Sequence, residues 1–290
     1  MNGVLNVHKP LGMTSSDVVV FVRRAWHFKK VGHGGTLDPE AEGVLPILVG
    51  RGTRLFDAMM DMDKEYLCEI TLGVVTDTQD STGQVLERRP VRAEREALET
   101  ALEAFHGPIE QVPPMYSAIK MQGKKLYELA RSGQTVERKA RNVEIYGLQV
   151  ISDKGEGRFD LWVRCSKGTY IRTLCHDIGE ALGCGAHMSA LKRLRSGPFC
   201  LEQSVSLETI QNAAEDPDSL LIPMDKVLEH WPRVHVREEY HKKLVNGNTL
   251  PPEAALEAVP EEPFLVYGPE GLVGIGKRDE AYFRIKTMLI

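Results

Sequence analysis

A globular chain mixing helices with strands is predicted by three features. The 290 residues, 42% hydrophobic and 27% charged, can bury a full core and have room for one large domain plus a small one. Between Lys64 and Gly73 the residues Tyr66, Cys68, Ile70 and Leu72 alternate as on one face of a strand. Val18, Phe21, Val22, Ala25 and Trp26 recur at helical spacing. No apolar run is long enough to span a bilayer, and the start of the chain lacks a basic region followed by an apolar stretch. Five cysteines without a C-x-x-C pair suit free thiols in a reducing compartment, so a cytoplasmic protein is expected.

The elements follow in order. Val4 to Val7 reads as a strand, Pro10 and Gly12 mark a turn, and Ser15, Ser16 or Asp17 can cap the helix after it. Gly43 to Gly50 reads as a buried strand, Thr53 to Met60 as a short helix, and Lys64 to Gly73 as the alternating strand. Thr76 to Gly83 is a polar turn without the glycine and terminal glutamate of a calcium loop; Asp77 and Asp80 can fix its geometry. Arg92 to Phe105 reads as an amphipathic helix. Arg141 to Ser152 and Arg158 to Ser166 form two strands joined by the 153–157 turn. Gly168 and Thr169 open a helix that turns Ile171, Leu174, Ile178 and Leu182 inward. Ala186 to Phe199 alternates apolar and basic residues, Leu207 to Ala214 is helical, and 215–218 is a polar linker. From Arg233 the chain changes character, with strands near 234–236, 264–267, 272–276 and 282–285 around a helix at 238–245.

The stretch Lys30-Val31-Gly32-His33-Gly34-Gly35-Thr36-Leu37-Asp38-Pro39 looks like a site. Its glycines allow close backbone approach, and Pro39 biases Asp38 away from the α-region, which helps display the carboxylate. Ordinary turns also contain Asp-Pro, and glycine loops also serve chain crossings. A phosphate loop is disfavoured because the stretch ends Leu-Asp-Pro without the Lys-Ser/Thr that a Walker motif needs. Arg172 leaves the apolar stripe of its helix near the N-terminus, where the dipole does not favour a cation, so a carboxylate partner is expected. Cys175, His176, Cys184 and His187 do not suit zinc, because the adjacent pair diverges by about 100° on a helix.

The whole chain carries −5, which counts against RNA unless positive charge is concentrated. It is concentrated. From Lys120 to Arg141, seven basic residues stand against two glutamates, a local charge of +5, with Tyr116 and Tyr127 nearby. Cations there would neutralise phosphates, and the aromatics offer stacking faces.

The Gly-Gly-Thr-Leu-Asp-Pro loop resembles the signature of the TruB family of pseudouridine synthases. Lys9-Pro10, Lys64-Glu65-Tyr66, Gly168-Thr169-Tyr170-Ile171-Arg172 and the Ala186–Phe199 stretch resemble further signatures. The resemblance implies that Asp38 is the catalytic nucleophile, that Tyr66 stacks on the base and serves as acid/base, and that Arg172 orients Asp38. It implies substrate-binding roles for His33, which helps displace the target base, for Lys9 and Lys64 beside the site, and for Leu194 against the uracil. The basic segment, about 114–141, resembles the family's RNA-clamping insertion, which assigns Lys120, Lys124, Lys125, Arg131 and Arg141 to substrate.

The implied fold is α+β, the pseudouridine synthase fold, with a mixed, mainly antiparallel central sheet. A catalytic domain at 1–230 would precede a small PUA-like β-barrel at 231–290 that binds RNA. The implied reaction converts uridine 55 in the T loop of tRNA to pseudouridine by base flipping, with no cofactor or metal. The expected partner is the tRNA T-stem-loop, the expected state a monomer away from any membrane. The alternative is a non-catalytic RNA-binding or RNA-folding protein.

Overall fold

The computed structural model describes residues 1–117, 119–121 and 123–290. The chain begins with β1 (Gly3–Lys9), α1 (Ser15–Ala25), β2 (Val31–His33) and β3 (Ala41–Val49). A 3-10 turn leads into α2 (Phe56–Met60) and then β4 (Lys64–Leu72). A short hairpin, β5 (Val74–Thr76) with β6 (Val85–Arg88), precedes α3 (Arg95–Leu102) and β7 (Gly107–Gln111). The basic insertion holds a second small hairpin, β8 (Lys120–Met121) with β9 (Lys124–Lys125), followed by α4 (Leu126–Arg131). β10 (Arg141–Gly155), β11 (Arg158–Cys165), α5 (Ile171–Ala181), β12 (Ala186–Ser196) and β13 (Phe199–Cys200) complete the central unit.

These strands form a nine-stranded sheet ordered β1-β3-β12-β4-β11-β10-β7, with β2 on β3 and β13 on β12. Only β3 with β12 runs parallel; the other pairings are antiparallel, so the sheet is mixed and mainly antiparallel. The even residues of β4, from Tyr66 to Leu72, join Leu161, Val163, Leu174 and Ile178 in one buried cluster. This follows from period-2 alternation meeting the apolar stripe of α5. A second cluster sits under α1, where Val18, Val22 and Trp26 meet Leu5, Val7, Leu45 and Ile47.

Some elements differ from expectation. Thr14, and not Ser15, Ser16 or Asp17, caps α1: its hydroxyl accepts from the Asp17 amide, and Asp17 Oδ2 accepts from the Thr14 amide at 2.8 Å. This reciprocal box satisfies two donors at once. The 215–218 stretch does not lead away from the core, because the chain just beyond it exchanges two main-chain hydrogen bonds between Val4 and Ile222 at 2.9 and 2.8 Å.

The C-terminal strands β14 (Arg233–His235), β15 (Phe264–Gly268), β16 (Gly271–Asp279) and β17 (Tyr282–Met288) stand in that order in one open sheet. No barrel closes. β14 and β17 remain as edges, and the inner face is covered by Val236, Leu244, Leu250 and Ala254 from the intervening segments. Leu265, Ile275 and Leu289 from this unit share a buried cluster with Val4, Val44 and Leu48. Among the described residues no helix is long and apolar enough to cross a membrane.

Candidate active site

The loop between β2 and β3 is fastened on both sides of Asp38. Ahead of it, the Ser15 hydroxyl clasps Leu37, donating to its carbonyl at 3.0 Å and accepting from its amide at 2.8 Å. Behind it, the Ala41 amide donates to the Asp38 carbonyl at 3.0 Å, and the Gly12 amide donates to the Pro39 carbonyl at 2.9 Å. Lys9 is fully buried, and its ammonium donates to the carbonyls of Pro10 (2.9 Å), Met13 (2.6 Å) and Pro39 (3.3 Å). Leu37 is buried in the same cluster as Tyr66. The backbone is held, while the Asp38 side chain stays 43% exposed. That is the arrangement a reacting carboxylate needs, because geometry is set without closing the atom to a ligand.

Arg172 supplies the expected partner and brings a second one. Its side chain is 8% exposed, with Nε 3.2 Å from Asp38 Oδ2 and Nη1 3.4 Å from Asp80 Oδ2. Nη1 also donates to the Thr78 carbonyl at 3.3 Å and Nη2 to the Tyr116 carbonyl at 2.8 Å. Gln111 on β7 anchors the start of α5: its Oε1 accepts from the Tyr170 amide at 3.0 Å, and its Nε2 donates to the Tyr170 carbonyl at 3.2 Å. Five donors in a rigid fork let one guanidinium join the aspartate loop, the 76–80 turn and the start of the insertion.

Tyr66 is 9% exposed on β4, and burial raises its phenol above the ordinary range, so the hydroxyl is protonated at neutral pH. His33 is half-buried, and its buried Nδ1 has no hydrogen-bond partner among the described residues. Burial, then the charge of Arg193, lowers its pKa, which keeps the ring neutral.

Two lysines expected to bind substrate point inward. Lys9 holds the three carbonyls above, and burial lowers its pKa against the pull of Asp38. Lys64 donates to the Met60 carbonyl at 2.8 Å and to the Met62 carbonyl, and burial brings it down to about 8. The three Lys9 donors and two of the three Lys64 donors are thus engaged by main-chain acceptors. From β12, Ala186, Met188 and Leu191 share the buried cluster of Tyr66; Leu194 falls at an irregularity in the pairing of β12 with β4 and is in none of the buried clusters. Lys124 and Arg141 are exposed, as a phosphate contact requires. The side chains of Lys120, Lys125 and Arg131 lie outside the described residues.

Two of the four zinc-type side chains are engaged elsewhere: His187 Nδ1 lies 3.0 Å from the Val74 carbonyl, and Cys175 packs 4.0 Å from Cys68. Sequence reasoning missed Asp80 as a partner of Arg172 and Ser15 as the clasp of Leu37. No local signal marks either one. Arg193, one of three basic residues on β12, is 1% exposed, and the alternation of Leu191 and Arg193 along β12 could have revealed its inward direction.

The sequence and fold have close relatives. Residues 23–171 match the model of the TruB family pseudouridylate synthase N-terminal domain, and residues 172–229 match that of the tRNA pseudouridylate synthase B C-terminal domain. The tRNA pseudouridine synthase B of Alkaliphilus oremlandii is 44% identical over 298 residues, covering 100% of this chain and 99% of the relative. That of Clostridium perfringens is 43% identical, with the same coverage. Among solved structures, a Cbf5-Nop10-Gar1 complex superposes with a TM-score of 0.75 at 29% identity, over 95% of this chain and 78% of the other. An H/ACA RNP bound to a substrate RNA containing 2'-deoxyuridine gives 0.75 at 25% identity, over 99% and 85%. With family models matching residues 23–229 and relatives 43–44% identical over the full chain, the chain belongs to the TruB family of pseudouridylate synthases.

Proposed function

We propose that this enzyme isomerises uridine to pseudouridine in tRNA, at position 55 of the T loop, with Asp38 as the nucleophile. The observation that carries the reading is the half-exposed Asp38 carboxylate, backbone-fastened and paired with the buried Arg172 beside Tyr66. In the reaction the N1–C1' bond breaks and a C5–C1' bond forms. The C5 proton leaves and N1 gains one, so atoms balance without a cofactor. Asp38 attacks the target nucleotide, Tyr66 supports the flipped base and mediates proton transfer, and Arg172 aims the carboxylate. The neutral, unpartnered His33 ring suits insertion into the space the base leaves.

Four buried cations, Lys9, Lys64, Arg172 and Arg193, lie around the aspartate loop and β4. With the basic insertion they give this side of an acidic protein the sign an RNA phosphate needs. We extend the reading to 231–290 as a further RNA-contacting unit, to a monomeric enzyme, and to a reducing cytoplasm that suits the free cysteines. The test is tritium release from a tRNA transcript labelled at uracil C5. Wild type should release the label, while Asp38→Asn should bind the same tRNA and release none. Equal release by both proteins would remove Asp38 from the chemistry.

A further inference from the structure

Arg193 lies opposite Gly43 of β3 on one side and Tyr66 of β4 on the other, in the middle of the central sheet. It is 1% exposed. Its guanidinium donates to three main-chain carbonyls, Nε to Val44 at 2.7 Å, Nη1 to Thr36 at 3.3 Å and Nη2 to Gly35 at 3.2 Å, and it also hydrogen-bonds the Tyr66 side chain. Among the described residues no carboxylate forms an ion pair with it. A buried cation without a counter-ion is costly, and the carbonyls offset that cost only while all of them are in place. Gly43 lets the β12 backbone close on β3 at this residue: a Cβ there would lie 2.3 Å from the Arg193 carbonyl oxygen, at φ +108. The close strand approach and the carbonyl-bound, unpaired charge meet at one residue beneath the aspartate loop.

We propose that Arg193 is a positioning residue of the active site, tying the Gly35–Thr36 backbone to β3 so that Asp38 stands at a fixed place relative to Tyr66. This rests on the proposed reaction for its catalytic consequence, but not for its structural one. The two sides of Asp38 are then held by different devices. Ser15 and Lys9 fasten Leu37 and Pro39 from the first turn, and Arg193 fastens Gly35 and Thr36 from β12. The same charge lowers His33 and Lys9 and opposes the upward push of burial on the Tyr66 phenol, consistent with a cation set close under the site.

Arg193→Lys is the informative variant, because it keeps the charge but cannot reach all of the carbonyls from one ammonium. Single-turnover conversion of tRNA at saturating enzyme should slow about 100-fold, the scale of a displaced nucleophile. The tRNA dissociation constant should stay within about twofold, since a buried side chain cannot touch phosphate. Arg193→Met should slow conversion at least as much. Hydrogen exchange on the intact protein supplies a readout independent of activity: amides of 34–38 should exchange about tenfold faster in Arg193→Lys, with β10 and β11 unchanged. Unchanged exchange in that segment overturns the proposal, and so does a rate within about threefold of wild type with tRNA affinity lost instead. A wild type without turnover, together with faster exchange in the variant, would overturn the proposed reaction and leave the positioning role standing.

Discussion

Asp80→Asn removes one charge from the Arg172 network and almost no volume. Asp80 Oδ2 lies 3.4 Å from Arg172 Nη1, and the carboxylate is 14% exposed. At that separation and an effective dielectric of about 20, the pair attracts by about 5 kcal/mol. Much of this is recovered, because the asparagine oxygen still accepts a hydrogen bond and Asp38 still neutralises the guanidinium. What is lost is about 1–3 kcal/mol, the worth of a hydrogen bond to a charged group. With its single oxygen turned to Arg172, the asparagine no longer accepts from the Thr82 amide (3.0 Å to Oδ1) and the Thr78 hydroxyl (2.7 Å), but the Thr76 hydroxyl still donates to the residue-80 carbonyl at 2.7 Å, so the 76–83 turn should persist. With Asp80 neutral, Arg172 is drawn toward Asp38 alone, and the nucleophile shifts with it. Single-turnover tritium release at saturating enzyme should fall about 10- to 100-fold, with tRNA affinity within about twofold. A rate equal to wild type would refute the reasoning, since it would mean that Asp38 and the Thr78 and Tyr116 carbonyls hold the guanidinium in place without the Asp80 charge.

Two further outcomes concern stability. Lys64 has a folded pKa of about 8 against its ordinary 10.5, so between those values the unfolded chain binds more protons. Its contribution to stability therefore rises with pH across that window, by up to about 3 kcal/mol, and is flat below it. Urea unfolding of wild type and Lys64→Met at pH 7.5 and 10 should show the difference moving toward wild type at the higher pH; a constant difference would refute the shift. Gly43→Ala forces a Cβ against the β12 backbone at a residue with φ +108, and should cost about 3 kcal/mol in chemical denaturation. An alanine variant as stable as wild type would mean that β3 and β12 can separate freely.

Local patterns were enough for most elements. The β4 alternation, the α5 stripe and the Gly-rich loop each depend on neighbours in sequence, and each appears where the pattern places it. Even the need of Arg172 for a carboxylate was readable, because a cation leaving an apolar stripe near a helix N-terminus asks for one. The misplacements were of one kind. Thr14 and Ser15 offer the same hydroxyl, and only the approach of Leu37 decides that Ser15 clasps the loop while Thr14 caps the helix.

The sequence by itself determined the periodicities, the display of Asp38 before Pro39 and the reversal of charge in the basic insertion, since these are properties of adjacent residues. Tertiary structure alone decided that Lys9, Lys64 and Arg193 turn inward to main-chain carbonyls, that Asp80 shares Arg172 with Asp38, and that the C-terminal sheet stays open. The physical reason is common to all three. A long charged side chain has no periodic signature, and a strand edge has no sequence label. Their partners are carbonyls, carboxylates and strands brought close only when segments distant in sequence, such as Arg193 and Gly35, meet in the folded chain.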